Sequence, residues 1–363
     1  MKPYQVHLFS DNAKIPDYLP TEPVFIYENN RYLNFLTFDC FHLKNNEYLR
    51  DTARNSIEAK GIVAAEGRIE TIERLQKAMI EFKKIENIMI MPDELMAIFS
   101  VLSMFGPKTT FFVDYETSPT ILALIQQRNV EFYKHDDLVQ LGNLLNAKSE
   151  KAIVIDGLYE WIGKIAPVND LVKLAQQYEC FIIGNELNTF GLLGREGRGF
   201  IDLFNLYDAI NMEIGSFSRF LGGFGCYIGA KRFLINKVRE NVNKILNPLP
   251  QFMLSVNIGA LELARNNNGN GAFTTLWKNS RYFITRLKQI GFTTASDTPI
   301  AVVNLNNNDE SGEFVKKLFF EKIVVGQDRE RIRMCLSIEH NKEDLDYCLE
   351  VFEKIGKELA ILK

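Results

Sequence analysis

The sequence has few cysteines, and their arrangement is not typical of a disulfide framework or a zinc site. The five cysteines are odd in number, lie far apart and include no CxxC pair. Reduced thiols in a cytoplasm are therefore expected. The histidines show no metal-ligand spacing either, so no metal is predicted. The cysteines are Cys40, Cys180, Cys226, Cys335 and Cys348.

The sequence also lacks an excess of positive charge and any long apolar run. Its formal net charge of -4 argues against a nucleic-acid-binding protein, which usually carries a basic stripe. No stretch approaches the roughly 18 apolar residues that a membrane-spanning helix needs. The first twenty residues contain no apolar run typical of a secretion signal. These absences predict a soluble cytoplasmic protein with no membrane span and no nucleic-acid partner.

Short apolar runs alternate with longer amphipathic segments through the first two thirds of the chain. Two of these segments begin at a proline, Pro119 and Pro167, which is a favoured first position of a helix. The alternation predicts an α/β fold in which helices cover both faces of a mainly parallel sheet. Seven runs are predicted as strands: Asn87–Met91, Thr110–Tyr115, Glu131–His135, Ala152–Gly157, Cys180–Asn185, Ala209–Gly215 and Cys226–Ala230.

The pattern changes after about residue 245, where long helical segments precede a second group of short strands. It predicts an N-terminal arm at 1–44, a large domain at 45–245 and a smaller C-terminal α+β domain at 246–363. Two polar stretches, Ala264–Ala272 and Asn304–Gly312, are predicted as loops because clusters of Asn, Asp, Ser and Gly favour turns.

Functional residues are expected in the loops that follow the strands, since ligands of parallel sheets bind at the carboxyl ends of strands. The loops in question are Asp114–Ser118, Asp156–Gly163, Asn185–Gly191 and Gly215–Gly222.

Four motifs together resemble one family. They are "IDGLYEWIGKIAPVNDLVKLAQQYECFIIGNELNTFGLLGREGRGF", "YKHDDLVQL", "GSFSRFLGGFG" and "RIRMCLSIEHNKEDLD". In order and spacing they are similar to the motifs of the α-oxoamine synthases, from about Tyr32 onward. The resemblance implies the fold of type I pyridoxal-phosphate (PLP) enzymes, in the class I/II aminotransferase group: a large domain with a mainly parallel seven-stranded sheet and a smaller C-terminal α+β domain.

The resemblance also implies which residues occupy the cofactor positions. The Schiff-base lysine aligns to Arg219, whose guanidinium stays protonated and is not a usable nucleophile. The aspartate that charges the pyridine nitrogen aligns to Asn185, whose neutral amide supplies no negative charge. A family histidine aligns to Asn188, and the histidine that stacks on the cofactor aligns near Ser118.

The phosphate and substrate positions implied by the resemblance are altered as well. Asp93 and Glu94 stand at the helix start that would face the phosphate, where negative charges oppose a dianion. The hydroxyls of Ser216 and Ser218 match groups that favour the phosphate, and Arg333 matches the arginine that binds the amino-acid carboxylate in the family.

Three functions follow from this combination. The leading hypothesis is a catalytically silent transferase-like pseudoenzyme that does not bind PLP covalently. It would act as a non-catalytic subunit, in a homodimer or in a heterodimer with a catalytic homologue. The first alternative is an active PLP-dependent acyltransferase or aminotransferase. The second is a protein that binds an anionic small molecule in the old cleft through Arg219, Arg333 and Ser218.

Overall fold

The structure is a computed structural model that describes residues 20–62, 68–146, 150–242, 244–247, 249–269 and 271–362. The prediction of no secretion signal rests mostly on the first nineteen residues, which lie outside this range. Two compact units are present. The large unit contains Asn46–Tyr159 and Ile165–Asn268. The small unit contains the described residues up to Asn45, Glu160–Lys164 and the residues from Gly269 onward.

Strands and helices follow one another in both units. The strands are Val24–Tyr27 (β1), Asn30–Asn34 (β2), Asn87–Met91 (β3), Thr110–Asp114 (β4), Asn129–Tyr133 (β5), Lys151–Asp156 (β6), Leu158–Tyr159 (β7), Lys164–Ile165 (β8), Phe181–Glu186 (β9), Met212–Ser216 (β10), Cys226–Ala230 (β11), Ile300–Asn304 (β12), Ile323–Val324 (β13), Gly326–Asp328 (β14) and Arg331–Cys335 (β15). The helices are Glu47–Lys60 (α1), Arg68–Lys83 (α2), Glu94–Leu102 (α3), Pro119–Ile125 (α4), Leu138–Asn146 (α5), Val168–Gln177 (α6), Phe200–Leu203 (α7), Arg232–Val242 (α8), Gln251–Gly269 (α9), Ala272–Ile290 (α10), Asn308–Phe320 (α11) and Lys342–Glu358 (α12).

The large unit contains a seven-stranded sheet in the order β3-β11-β10-β9-β6-β4-β5. β11 runs antiparallel to both of its neighbours, and the other neighbouring pairs are parallel. The predicted mainly parallel seven-stranded sheet is therefore confirmed. Because parallel strands meet helices on both faces, their side chains are buried on both sides. Central strands contribute Val113, Val154, Ile183, Ile214 and Ile228 to one apolar core.

The helix predictions were partly correct. α4 begins at Pro119 as predicted, whereas Pro167 is the N-cap residue just before α6. The two loop predictions were largely wrong. α9 continues to Gly269 because its buried Leu261 and Ala264 pack in the large unit. α11 begins at Asn308, since Asn307 is its N-cap and accepts a hydrogen bond from the Glu310 amide at 2.9 Å.

A buried ionic cluster fixes one face of β9. The ammonium of Lys83 lies 3.1 Å from Glu186 and 3.2 Å from Glu213, and all three side chains are almost fully buried. Burial raises the pKa of Glu213 to about 7, against the effect of Lys83. Successive residues of a strand face opposite sides of the sheet. The cluster therefore holds Glu186 on one face and leaves Asn185 to the other.

The small unit contains two three-stranded sheets. One has the order β12-β15-β14 and is antiparallel, with Val302 opposite Arg333 in the register of β12 and β15. The other has the order β1-β2-β13. Across the described ranges of both units, no helix is both long enough and apolar enough to cross a membrane.

Candidate functional site

The loop that carries Arg219 is held by its own backbone and by a side chain of α9. The Phe217 amide donates to the Gly225 carbonyl at 2.9 Å. Asn257 accepts from the Phe224 amide at 2.7 Å and donates to the Phe224 carbonyl at 2.8 Å. Gly225 has a φ of +71°, and a Cβ there would lie 2.4 Å from the Met91 carbonyl oxygen. Glycine is thus required where this loop passes the end of β3.

This loop places the Arg219 guanidinium against the first turn of α3. Its Nε lies 3.0 Å from Glu94 Oε1 and its Nη2 lies 3.1 Å from Glu94 Oε2. Its Nη1 donates to the Asn188 side-chain oxygen. The side chains of Arg219 and Glu94 are only 13% and 20% exposed. The two parallel bonds form a bidentate pair, which is the strong geometry for guanidinium and carboxylate. The structure thus brings together three predicted site residues, but as partners of one another.

Two acidic residues lie at the start of α3. Asp93 is the N-cap residue, and its Oδ1 accepts from the Met96 amide at 2.7 Å. Glu94 occupies the first turn, where a carboxylate also interacts favourably with the helix dipole. A neighbouring depression of about 420 Å³ is lined by both acids and by Ser218. Its charge is therefore unfavourable for a phosphate.

Asn185 lies at the carboxyl end of β9, and its amide is already engaged. Its Nδ2 donates to Asp156 Oδ1, and its Oδ1 accepts from the Leu187 amide at 3.1 Å. The second oxygen of Asp156 accepts from the Thr117 hydroxyl. Burial raises the pKa of Asp156 to about 7, although these hydrogen bonds oppose the shift. Sequence reasoning missed Asp156 as a site residue, although it begins one of the four loops expected to carry function.

The three predicted serines have different environments. Ser216 is buried, Ser218 is exposed, and their hydroxyl oxygens lie 2.9 Å apart. Ser118 is the N-cap residue of α4 but makes no capping bond with its side chain. Its buried hydroxyl has no hydrogen-bond partner among the described residues. The serines therefore leave hydroxyls near the ends of β4 and β10, and their role toward a cofactor stays a prediction.

Arg333 lies in the small unit, where an acid and two aromatic rings contact its guanidinium. Its Nη1 is 3.3 Å from Glu160 Oε2, and both side chains are less than 10% exposed. Its guanidinium carbon lies 4.4 Å from the ring centre of Phe38 and 4.5 Å from that of Trp161. A cation over the face of an aromatic ring is attracted electrostatically by the ring. We call Phe38, Glu160 and Trp161 the Arg333 cage. Sequence reasoning identified Arg333 but missed its partner Glu160.

These side chains do not fit covalent binding of PLP. Arg219, which the resemblance places at the lysine position, pairs with Glu94, and Asn185, which the resemblance places at the ring nitrogen, donates a hydrogen bond to Asp156. Two carboxylates stand at the helix start that would face the phosphate. Within the described part of the chain, no group of three or more His, Cys, Asp or Glu residues is arranged to hold a metal ion.

Comparison with known proteins identifies similar chains over nearly the whole length. The 8-amino-7-oxononanoate synthase of Petrotoga mobilis is 30% identical, and the alignment covers 91% of this chain and 90% of the relative. The synthase of the same name from Thermoanaerobacter pseudethanolicus is 29% identical, with 94% and 92% covered. No protein-family model matches the chain.

A solved structure has the same fold. Serine palmitoyltransferase from S. paucimobilis, a lysine-to-alanine variant with a bound PLP–myriocin aldimine, superimposes with a TM-score of 0.85. It is 18% identical, and the match covers 92% of this chain and 90% of that one. At that identity the likeness shows the fold alone.

Proposed function

The chain belongs to the α-oxoamine synthase family of PLP enzymes, and we propose that it is a non-catalytic member of that family. The observation that carries the proposal is the bidentate pair between Arg219 and Glu94. Formation of a Schiff base requires a neutral primary amine that attacks a carbonyl carbon. A guanidinium remains protonated up to about pH 12. The residue at the lysine position therefore has the wrong chemistry, and a carboxylate stabilises its charge.

No neighbouring lysine takes over this position along the chain. The next lysine in the sequence is Lys231, which is exposed and follows β11. β11 is five residues long. At about 3.3 Å per residue, its first and last residues are about 13 Å apart. Lys231 is thus at the opposite end of the strand from the Arg219 loop.

Charge around the site argues against both alternative functions. The resemblance implies an acid at the ring nitrogen of an active enzyme of this family, and Asn185 instead donates to Asp156. A binder of anionic ligands needs cations that are not already neutralised. Arg219 pairs with Glu94 and Arg333 pairs with Glu160. Each arginine would have to exchange its carboxylate partner for a ligand.

A silent chain of this family retains a function if it assembles with another chain. In the family the active sites lie at a dimer interface, so a non-catalytic chain shapes the site of its partner. We therefore propose a dimer, either of two copies or of this chain with a catalytic homologue. We also propose a cytoplasmic location, on the basis of the composition and the free thiols.

The experiment that tests the proposal is titration of the purified chain with PLP. Absorbance spectra are recorded, followed by borohydride reduction and measurement of intact mass. The synthase of Petrotoga mobilis serves as the positive control. We expect no spectral shift and no mass increase for this chain. A reduced adduct on any one lysine would overturn the proposal, and peptide mapping would identify that lysine.

Two variants separate the contributions of the lost lysine and of the acids. Arg219→Lys alone should give no turnover, because Glu94 would keep the new ammonium protonated. Arg219→Lys combined with Glu94→Gly removes that carboxylate and should gain more covalent PLP than the single variant. Lys231→Arg, which changes a lysine outside the Arg219 loop, is the matched control. If the single variant turns over substrate at a rate near that of the control synthase, the argument from several simultaneous losses is wrong.

A further inference from the structure

Two cysteines that are distant in the sequence lie together in the interior of the small unit. The sulfur atoms of Cys40 and Cys335 are 3.3 Å apart, although 295 positions separate them in the chain. Both side chains are buried, and both thiols are free. The proposed function uses neither thiol.

The backbone around both cysteines fixes this approach. The Cys335 amide donates to the Phe35 carbonyl at 2.7 Å, and the Ile338 amide donates to the Cys40 carbonyl at 2.9 Å. The Ser337 hydroxyl donates to the same Cys40 carbonyl at 3.1 Å. Three hydrogen bonds thus join the segment around Cys40 to β15 and the residues after it. The two sulfurs are held as neighbours by the fold.

We propose that Cys40 and Cys335 form a redox modification site, in which a peroxide converts the two thiols into a reversible disulfide. A disulfide has sulfur atoms about 2.05 Å apart, so the pair must close by roughly 1.3 Å. One thiol reacts with hydrogen peroxide to give a sulfenic acid and one water. The second thiol attacks that sulfur, the S–S bond forms, and a second water leaves. Two thiols are oxidised, one peroxide is reduced, and a dithiol reductant reverses the product.

Burial determines when this reaction takes place. Burial and the neighbouring Cys335 hold the pKa of the Cys40 thiol well above its usual range. Because the thiolate is the reactive form, the closed structure protects Cys40 at neutral pH. Oxidation is therefore expected to be slow in the folded chain and to accelerate when the segment around Cys40 opens.

The disulfide would restrain the Arg333 cage. Phe38 stands two residues before Cys40, and Arg333 stands two residues before Cys335. The Phe38 ring already packs on the Arg333 guanidinium. A covalent link two residues away would hold these two groups together and reduce opening of the cage. Oxidation would then decrease access to the arginine that the family resemblance places at the substrate carboxylate.

The test uses the full chain treated with hydrogen peroxide and then unfolded for thiol counting. The untreated chain should show its five thiols. The oxidised chain should show three, which is five minus the two in the bond, with a mass decrease of about 2 Da. Peptide mapping should recover a Cys40–Cys335 cross-link, and dithiothreitol should restore five thiols.

Three variants provide controls. Cys40→Ser and Cys335→Ser should each abolish the mass decrease, whereas Cys348→Ser, which removes another buried thiol of the same unit, should retain it. An unchanged thiol count, a mass gain of oxygen alone, or a cross-link between other cysteines would overturn the proposal. Peptide mapping of the parent chain decides the question even if a serine variant fails to fold.

A fluorescence measurement tests the link to the cage. The chain contains two tryptophans, so Trp277→Phe leaves Trp161 as the single reporter. Acrylamide quenching of Trp161 should fall when this variant is oxidised and recover after reduction. If the disulfide forms and quenching does not change, the redox site is retained and its effect on Arg333 is refuted.

Discussion

The pair between Arg219 and Glu94 should contribute measurably to the stability of the large unit. The perturbation is a double-mutant cycle with Arg219→Met, Glu94→Gln and the combination of both. Exposed ion pairs couple by about 0.2–1 kcal/mol. Removing one partner of a fully buried pair costs about 3–5 kcal/mol. The two side chains are 13% and 20% exposed and meet through two bonds, so we expect a coupling free energy of about 1–3 kcal/mol.

The cycle separates this coupling from the other role of Glu94. Its carboxylate also interacts with the dipole of α3, which contributes about 0.3–1 kcal/mol. That contribution is present whether or not Arg219 is replaced, so it cancels in the cycle. The free energy of unfolding is measured by urea titration at low and at high salt. Screening should reduce the coupling only modestly because the pair is mostly buried.

An exposed pair of the same kind serves as the control. Lys342 and Asp346 lie four residues apart on α12, with side chains 73% and 34% exposed. Their coupling should be clearly smaller than that of the mostly buried pair and should vanish in high salt. If the Arg219–Glu94 coupling is no larger than this control, the pair does not fix the loop against α3. The strongest argument against a cofactor phosphate at that place would then fail.

Two further predictions concern the acid at the end of β6 and the assembly. Burial raises the pKa of Asp156 to about 7, so the folded chain keeps a proton that the unfolded chain releases at lower pH. The free energy of unfolding should therefore fall as the pH rises from about 4 to 7. Asp156→Asn should flatten this slope by up to about 1.4 kcal/mol per pH unit. Parallel pH profiles of the parent chain and the variant would contradict the reasoning. Sedimentation velocity of the pure chain should show a species of at least two copies, or of one copy with a catalytic homologue when the two are co-expressed. A monomer in both samples would refute the proposed assembly.

The sheet could be predicted because strands buried on both faces form continuous apolar runs. The runs Asn87–Met91 and Cys226–Ala230 match β3 and β11 residue for residue. Other ends shift: β10 begins at Met212, three residues after the predicted start at Ala209. Strand ends depend on hydrogen-bond partners in neighbouring strands, and a single run of residues does not contain that information.

The partners of the site residues could not be predicted in the same way. Arg219 and Glu94 are 125 positions apart, and each was identified separately by alignment with the family. Their pairing depends on the path of the loop past β3, which the alignment does not give. Asp156 and Asn185 become neighbours only because β6 lies beside β9 in the sheet. The available signal is that Asp156 ends a buried strand and begins one of the loops in which functional residues are expected.

At three of the positions that the family resemblance assigns to cofactor and substrate, the side chain has a local partner. Arg219 has Glu94, Asn185 has Asp156, and in the small unit Arg333 has Glu160. An unpartnered buried charge or amide would cost about 1–3 kcal/mol or more. The partners therefore satisfy the polar groups of these three side chains within the fold. The family's side chain at position 219 or 185 would have a carboxyl group beside it. A lysine at 219 would meet Glu94 and stay charged, and an aspartate at 185 would face the carboxyl group of Asp156. Under the proposed function, PLP chemistry would therefore require paired substitutions, which is the physical reason to expect that neither single variant turns over substrate.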